Sequence, residues 1–425
     1  SSATYVAYLF AHNNNDRGFG PDSEDIIKCA SFTGNSSADV TVDVGFEPQW
    51  LLTRRTGGGN WTITDNMRGL ATGGIDNTLF ADTSGAENTA ADRIDLTSTG
   101  FIQKSGQTQN ETVVYMAIRR PDQSTPTVAS EVFAIDTSTS DSSGDVLAST
   151  FPVDMYLNAR RDGGSHGIMA RLTQTRLYTD ANSAEGSLGN YVDFDRQTGI
   201  KRNALLGNAS TVDYMWKRAK GFCDVVAYSG TGSNRTVTHN LGAVPEMMWI
   251  KRRDSTGNWA VYHKGLDSGN NPETHYIILN STAAEDDVNE IFNDTAPTSS
   301  VFSLGTAASV NNSSGTYIAY LFATVAGVSK VGSFTATGSD VNVDCGFTNG
   351  AKFVLIKRTN SADDWFIFRD IVAGNDKRIK LNTTDAEATG SDNIDPLSSG
   401  FTMTSGILGD SGNEFIFYAI ANDPS

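Results

Sequence analysis

The sequence predicts an all-β protein, built as a tandem array of four antiparallel β-sandwich modules with an extra N-terminal strand. Two observations carry this prediction. The 425-residue chain combines 38 % hydrophobic residues with many Ser, Thr, Asn, Asp and Gly residues, a composition that favours short strands joined by turns. In addition, one pattern of strands recurs at intervals of roughly 90–105 residues, which indicates a repeat architecture.

Each repeat begins with a strand that ends in two basic residues, followed by a polar turn and a second strand. Two strands around a polar turn form a hairpin. The first strands are FEPQWLLTRR (46–55), FPVDMYLNARR (151–161), VPEMMWIKRR (244–253) and NGAKFVLIKR (349–358). The second strands are NWTITDNM (60–67), SHGIMARL (165–172), NWAVYHKG (258–265) and DWFIFRDI (364–371). The second copy keeps the strands but has lost the GNW turn, so we expect its module to be divergent.

Each repeat then passes through a polar turn that contains Ala-Glu and finishes with a closing strand. The turns are TLFADTSGAEN (78–88), RLYTDANSAEG (176–186), YIILNSTAAED (276–286) and RIKLNTTDAEA (378–388). The closing strands are TVVYMAIRR (112–120), TVDYMWKRA (211–219), TYIAYLFA (316–323) and EFIFYAIA (414–421). The broad apolar faces of these strands indicate burial between two sheets, as in a β-sandwich.

A fifth closing strand, TYVAYLFA at 4–11, stands at the start of the chain without a repeat of its own. We expect either that the chain belongs to a longer tandem array or that this strand pairs with a neighbouring subunit, and we favour the longer array. An unpaired apolar strand would otherwise promote aggregation. An intact mass of 45.5 kDa for the protein from its native source would contradict the longer array.

The repeat boundaries follow from polar or small-residue linkers that lack periodicity. The predicted segments are 1–25 for the extra closing strand and a loop, 26–121 for module 1, 130–219 for the divergent module 2, 221–324 for module 3 and 330–425 for module 4.

Modules 1, 3 and 4 carry a resemblance to a known group of proteins, whereas module 2 keeps the recurrent strand ends but lacks the GNW turn. The stretch from IIKCASFTGNSSADVTVDVGFEPQWLLTRRTGGGNW to VVYMAIRRP resembles a module of bacteriophage tail-fibre and virion structural proteins, especially marine and cyanobacterial phages. GFCDVVAYSGTGSNRTVTHNLGAVPEMMWIKRRDSTGNWAVYHKGL, with TYIAYLFA, resembles a second variant of this module. The resemblance covers nearly the whole chain, and it implies a lectin-like β-sandwich in a virion component synthesised in the host cytoplasm. It implies no defined ligand and no catalytic residue.

Charge and motif content exclude several classes of function. A formal net charge of −17 argues against a nucleic-acid or anionic-membrane partner, because condensed phosphates would repel this surface. No apolar run approaches the ~20 residues of a membrane span, so we expect no membrane insertion. The three cysteines lack zinc-site spacing, and no nucleophile elbow, Walker loop or HExxH motif occurs. We therefore expect no cofactor, no metal and no catalytic residue.

A candidate ligand site recurs at the start of the second hairpin strand in three modules. A sugar ring stacks well on an exposed indole, and a neighbouring Asn or Asp can accept hydrogen bonds from sugar hydroxyls. The alternative, which we favour, is that these Trp side chains pack across the hairpin or into the core. The candidate glycan-stacking pairs are Asn60 with Trp61, Asn258 with Trp259, and Asp364 with Trp365.

Two other recurrent features have a functional and a structural interpretation. The basic pairs Arg54/Arg55, Arg160/Arg161, Arg252/Arg253 and Lys357/Arg358 can clamp an anionic glycan, or they end strands at the solvent boundary and pair with acidic neighbours. The Glu residues of the Ala-Glu turns are candidates for glycosidic hydrolysis or for turn capping. We favour the structural interpretation of both features. The four Glu residues are Glu87, Glu185, Glu285 and Glu387.

These observations predict a phage virion structural protein, a tail-fibre or other appendage component that contacts the host surface by multivalent, non-covalent binding. A capsid decoration protein is one alternative, and a polysaccharide-degrading tail appendage is another. A cellular surface adhesin is a third alternative. The expected partners are other virion subunits, further copies of the chain in a homo-oligomer, and a host surface glycan. We expect the divergent module 2 to be a spacer.

Overall fold

A computed structural model describes residues 4–10, 12, 26–121, 124–137, 146–187, 191–203 and 210–423. The chain divides into two compact units, residues 1–121 and 122–425. Almost all regular structure is antiparallel strand, which confirms the all-β fold. Four six-stranded sheets with the same strand order follow one another along the chain, each accompanied by a smaller sheet. We call each pair of sheets a module and number the modules 1 to 4.

Module 1 forms the first unit. Its strands are β1 (Ile27–Thr33), β2 (Val40–Asp43), β3 (Pro48–Arg55), β4 (Thr62–Asp65), β5 (Asp76–Phe80), β6 (Asn88–Ala91), β7 (Ile94–Thr97), β8 (Gly100–Gln103) and β9 (Thr112–Arg119). The large sheet has the order β1-β9-β3-β4-β5-β6, and the small sheet has the order β2-β8-β7. The predicted hairpin is β3 and β4, and the predicted closing strand is β9, which lies in the middle of the sheet.

Module 2 keeps this order although its sequence is divergent. Its strands are β10 (Phe133–Asp136), β11 (Val146–Leu147), β12 (Met155–Arg160), β13 (Gly167–Ala170), β14 (Thr175–Tyr178), β15 (Gly186–Ser187), β16 (Val192–Asp193), β17 (Ile200–Arg202) and β18 (Thr211–Trp216), with a 3₁₀ turn at Ala129–Glu131. The sheet orders are β10-β18-β12-β13-β14-β15 and β11-β17-β16.

Module 3 replaces part of its small sheet by short helical turns. Its strands are β19 (Cys223–Ser229), β20 (Arg235–Thr238), β21 (Met247–Arg252), β22 (Ala260–His263), β23 (His275–Ile278), β24 (Asp286–Asp287), β25 (Val301–Leu304) and β26 (Thr316–Phe322). Helices α1 (Asn289–Phe292) and α2 (Ala308–Asn311) and the 3₁₀ turns Leu266–Gly269 and Pro272–Thr274 complete it. The sheet orders are β19-β26-β21-β22-β23-β24 and β20-β25.

Module 4 returns to the pattern of module 1. Its strands are β27 (Ser329–Thr335), β28 (Val341–Asp344), β29 (Ala351–Arg358), β30 (Trp365–Arg369), β31 (Asp376–Lys380), β32 (Ala388–Ser391), β33 (Ile394–Leu397), β34 (Gly400–Met403) and β35 (Glu414–Ala421), with helix α3 (Ser405–Leu408). The sheet orders are β27-β35-β29-β30-β31-β32 and β28-β34-β33.

The inner face of each large sheet packs against its small sheet, as in a sandwich. Side chains alternate along a strand, so every second residue of a closing strand points inward. In module 4, Phe415 and Phe417 on the closing strand share one buried cluster with Phe401 of the small sheet. In module 1, the Tyr115 ring lies 5.7 Å from the Phe101 ring in an edge-to-face contact. The predicted sandwich packing is therefore present in both units.

The outer faces of the large sheets in modules 2, 3 and 4 pack against one another and form one hydrophobic cluster. The Phe353 ring of module 4 lies 5.3 Å from the Tyr214 ring of module 2, and the Phe322 ring of module 3 lies 5.0 Å from the Tyr418 ring of module 4. Both faces of these sheets are thus buried, one by the sandwich and one by the neighbouring modules. We call the shared cluster the three-module core.

The predicted N-terminal strand is not formed in the described residues 4–10. Tyr5, Val6, Tyr8 and Leu9 are 80–92 % exposed. A strand is stabilised by hydrogen bonds to a neighbouring strand, and the described part of the chain supplies none to this segment. Apart from His12, the loop at 12–25 lies outside the described residues.

Candidate functional site

Trp259 and Trp365, two of the three predicted sugar-stacking residues, lie in the three-module core. Their side chains are 0 % and 1 % exposed. The Trp259 Nε1 donates a 2.9 Å hydrogen bond to the Tyr178 carbonyl of module 2, and the Trp365 Nε1 donates a 3.0 Å bond to the Ile278 carbonyl of module 3. No indole face is open to a sugar at these two positions, so the packing interpretation holds for both.

The polar partners of these two Trp residues stabilise the hairpin turn. The Asn280 side chain accepts a 2.9 Å hydrogen bond from the Trp259 backbone N–H and donates a 3.0 Å bond to Asn258. In module 4, Asn382 makes the same two bonds to the Trp365 backbone N–H and to Asp364, at 2.8 and 2.9 Å. Asn258 and Asp364 are therefore occupied in positioning the turn.

His166 occupies the place of the missing Trp in module 2, a role that sequence reasoning did not assign. Its Nε2 lies 3.0 Å from the Lys380 carbonyl of module 4, and its Nδ1 accepts a 3.0 Å hydrogen bond from the Arg160 N–H. Burial lowers the pKa of His166, which favours the neutral ring. The sequence signal was its alignment with the Trp positions of the other copies.

With His166, the three modules form a closed cycle of equivalent contacts. The hairpin turn of module 3 contacts the Ala-Glu turn of module 2, that of module 4 contacts module 3, and that of module 2 contacts module 4. We call each of these contacts between a hairpin turn and an Ala-Glu turn a seam. The same backbone hydrogen bond recurs at each seam: Gly257 N to Asn182 O at 2.8 Å, Asp363 N to Thr282 O at 2.9 Å, and Gly164 N to Thr384 O at 2.8 Å.

The recurrent Glu residues of modules 2 to 4 lie at these seams. Their backbone N–H groups donate across the seam: Glu185 to Arg253 O at 2.8 Å, Glu285 to Thr359 O at 2.9 Å, and Glu387 to Arg161 O at 3.0 Å. Two of the carboxylates also form ion pairs across it, Glu185 with Arg253 at 2.7 Å and Glu387 with Arg161 at 2.9 Å. The third carboxylate, of Glu285, accepts the Asp267 backbone N–H at 2.7 Å.

The basic pairs are divided between the surface and the seams. Arg55, Arg160 and Arg252 pair with acidic neighbours of their own modules, Glu111, Asp162 and Asp254, at 2.9–3.1 Å. Arg253 is instead buried at a seam, and so are the ammonium groups of Lys251 and Lys357. Each of these Lys Nζ atoms donates to a carbonyl of the neighbouring module, Asn182 O or Thr282 O. Burial lowers the pKa of both lysines to about 8.

Trp61 of module 1 is the predicted Trp that stays accessible, and its neighbour Asn60 is exposed, as Asn258 is in module 3. Trp61 is partly exposed, and the Arg54 guanidinium lies 5.3 Å from the centre of its ring. Asn60 is exposed and lines a polar cleft of about 270 Å³. Ligand pockets usually enclose roughly 300–1,000 Å³, so this cleft is slightly smaller than that range.

The cleft in module 1 carries donors and acceptors suited to a polar ligand. Arg93 donates a 3.0 Å hydrogen bond to Gln107, and its guanidinium lies 6.0 Å from the centre of the Phe80 ring. Gln103 and Thr108 line the same cleft. An amide, a guanidinium and a ring side by side can bind sugar hydroxyls and one sugar face.

Two further features bear on metal and membrane binding. Among the described residues, no group of three or more His, Cys, Asp or Glu side chains is placed to hold a metal ion. None of the helices in the described ranges is long and apolar enough to cross a membrane.

Fold and site together define a tandem β-sandwich protein whose recurrent residues join modules to one another. The chain belongs to the family described as "Domain of unknown function (DUF7483)", which it matches over residues 1–120 and 170–424. The unmatched stretch between these ranges contains the first hairpin strand of the divergent module 2. Searches of curated proteins and of solved structures found no match to this chain.

Proposed function

We propose that this protein is a structural component of a phage virion, in a tail fibre or other appendage that contacts the host by multivalent, non-covalent binding. The observation that carries the proposal is the use of the repeat's recurrent Trp, Arg, Lys and Glu residues in the seams of modules 2 to 4. Residues that recur because they join modules point to a mechanical role. The resemblance of modules 1, 3 and 4 to virion proteins supports a location in the virion.

Contact with a host glycan is assigned to the cleft of module 1. Asn60, Arg93 and Gln107 line this cleft, whereas Trp259 and Trp365 are buried. A single cleft of this size binds weakly, so useful affinity requires several copies of the cleft on one particle.

The same experiments test the two alternative functions, capsid decoration and polysaccharide degradation. A capsid decoration protein would use the same modules on the head of the particle. A polysaccharide-degrading appendage needs a free pair of carboxylates, and the recurrent Glu185 and Glu387 are engaged by Arg side chains across the seams.

The first test is gold-labelled antibody imaging of intact particles from the source. Label on the tail or its fibres would support the proposal. Label spread over the head would support the decoration protein, and a particle without label would contradict a virion role and return attention to a cellular adhesin.

The second test measures glycan binding on an array of host envelope glycans with sugar release as a parallel readout. The Asn60→Ala variant is expected to reduce binding, and the matched Asn258→Ala variant, changed at the equivalent position of module 3, is expected to bind as the unchanged protein does. Equal loss in both variants would contradict the cleft, and release of sugar would favour the degrading appendage.

A further inference from the structure

Module 1 has an outer sheet face whose equivalents in modules 2, 3 and 4 are all buried by neighbouring modules. A row of five directly paired residues crosses each large sheet on this face. In module 3 the row is Val225, Tyr320, Trp249, Val261 and Ile277, each at most 2 % exposed.

The row of module 1 has the same register and is also apolar. It consists of Cys29, Met116, Leu52, Ile63 and Leu79. Met116 is 9 % exposed, Cys29, Leu52 and Ile63 are partly exposed, and Leu79 is 37 % exposed. We call this row, with the adjacent Trp61, the outer face of module 1. A contiguous apolar surface on a soluble protein usually marks an interaction site.

Module 1 also has the donors and acceptors that form the seams of the three-module core. Its Gly59 and Trp61 stand where Gly257 and Trp259 donate in module 3. Its Phe80 and Ser84 stand where Tyr178 and Asn182 accept in module 2. The backbone confirms this alignment, because Ala81 N donates to Trp61 O as Leu279 N donates to Trp259 O. In module 1, these residues are exposed or partly exposed.

The remaining seam positions of module 1 match one particular seam. Thr56 follows Arg55 in module 1 as Thr359 follows Arg358 in module 4, and Glu87 occupies the place of Glu285. At the seam between modules 3 and 4, Glu285 N donates to Thr359 O at 2.9 Å. Thr359 stands where modules 2 and 3 have Arg161 and Arg253. Glu87 and Thr56 can form this seam without an interchain ion pair.

The identity of the partner follows from the direction of the seams. Each seam joins the hairpin turn of one module to the Ala-Glu turn of another, so it is a head-to-tail contact, and in modules 2 to 4 this contact closes into a ring after three modules. Module 1 carries both a hairpin turn and an Ala-Glu turn that can form such a contact. A face that is complementary to itself in this way requires no foreign partner.

We propose that the outer face of module 1 binds the same face in two further copies of this chain, so that the protein is a homotrimer. In each interface the Trp61 Nε1 donates to the Phe80 carbonyl of the next copy, and the Gly59 N–H donates to its Ser84 carbonyl. The three copies of module 1 then repeat, between chains, the packing of modules 2, 3 and 4 within one chain. This inference does not depend on the proposed function, because a monomeric chain could still be a virion protein.

The test is the mass of the full 425-residue chain by native mass spectrometry and by light scattering during size exclusion. The expected mass is three times 45.5 kDa. Leu79→Lys places a charge on the outer face at a position that is already exposed, and it is expected to raise the midpoint concentration of assembly by about tenfold or more. The matched control is Ile75→Lys, since Ile75 is 56 % exposed and lies outside the row.

A second variant, Ile63→Lys, tests the centre of the row, with circular dichroism to confirm folding. Should it fail to fold, the Leu79→Lys result decides. A monomeric or dimeric wild-type chain would overturn the proposal. A trimer that Leu79→Lys leaves unchanged would also overturn it, because the trimer would then form through another surface.

Discussion

Module 1 and module 3 have the same sheet order and the same register across five strands, yet they use one face of the sheet differently. In module 3 the hairpin Trp is completely buried and donates to the neighbouring module, whereas in module 1 the equivalent Trp61 is partly exposed beneath Arg54. The difference lies in the neighbours, because the local hairpin is alike. A recurrent aromatic residue in a tandem repeat can therefore pack against a neighbouring module in one copy and lie at an accessible surface in another.

The same comparison explains why the closing strands are apolar on both faces. In module 3, Tyr317, Ala319 and Leu321 face the sandwich, while Ile318, Tyr320 and Phe322 face the three-module core. A strand buried on both faces has a nearly continuous apolar sequence. The closing strand TVVYMAIR of module 1 has the same character, which agrees with a second covered face.

The largest difference between the two modules is expected from removing the hairpin Trp. Trp365→Ala should lower the free energy of unfolding of the second unit by about 3–5 kcal/mol, because it leaves a large cavity in the three-module core. Trp61→Ala should cost about 1 kcal/mol or less in the first unit when the protein is dilute, since its ring is already partly solvated. Urea unfolding followed by far-UV circular dichroism measures both values. Equal costs would contradict the buried and exposed assignments.

The next largest difference between the two modules is expected in how their stability depends on pH, and it arises from His263 of module 3. Burial lowers the pKa of His263 to about 3, with its Nε2 3.1 Å from the Phe417 carbonyl of module 4. The unfolded chain binds a proton near pH 6.5 and the folded chain does not, so stability falls as the pH drops from about 6.5 towards 3. The loss reaches up to about 4 kcal/mol.

The measurement is the urea midpoint of the second unit at several pH values between 7 and 4. His263→Gln keeps a polar side chain of similar size without the titration, so its midpoint should fall less steeply with pH. Parallel curves for the two proteins would show that His263 is not the titrating group. Module 1 is expected to show the opposite pH dependence. Burial raises the pKa of Asp76 to about 7, so the folded state of module 1 becomes more stable as the pH falls from 7 to 4.

A smaller effect is expected from the seam ion pair between modules 2 and 3. Arg253→Met leaves the Glu185 carboxylate without its 2.7 Å partner, and loss of one member of a buried pair costs about 3 kcal/mol. The adjacent Arg252→Met removes a surface pair with Asp254, which contributes about 1 kcal/mol or less. Thermal unfolding of both variants gives the comparison. A larger loss for Arg252→Met would contradict the seam assignment.

The sequence predicted what depends on neighbouring residues along the chain. The hairpins around Trp61, Trp259 and Trp365 and the central closing strands follow from alternation and turn residues, and they are present. The sequence did not decide which face of Trp259 would be covered, because that depends on modules about 80 residues away. The alignment places His166 at the Trp position, but it did not reveal that His166 makes the same contact with a neighbouring module, because His and Trp share only a ring with an N–H donor.

The smallest effect isolates the hydrogen bond of the Trp from its volume. Trp259→Phe keeps an aromatic ring but deletes the Nε1–H that binds the Tyr178 carbonyl, so it should cost about 1 kcal/mol beyond the change in ring size. Trp61→Phe should leave the unfolding of dilute module 1 almost unchanged, because water can replace a partner for a partly exposed indole. If module 1 assembles as modules 2 to 4 do, however, Trp61→Phe should weaken the trimer, since its donor would be needed only there. If Trp61→Phe leaves assembly unchanged while Trp259→Phe clearly lowers the free energy of unfolding, the two Trp residues occupy equivalent hairpins but only Trp259 donates to a neighbouring module.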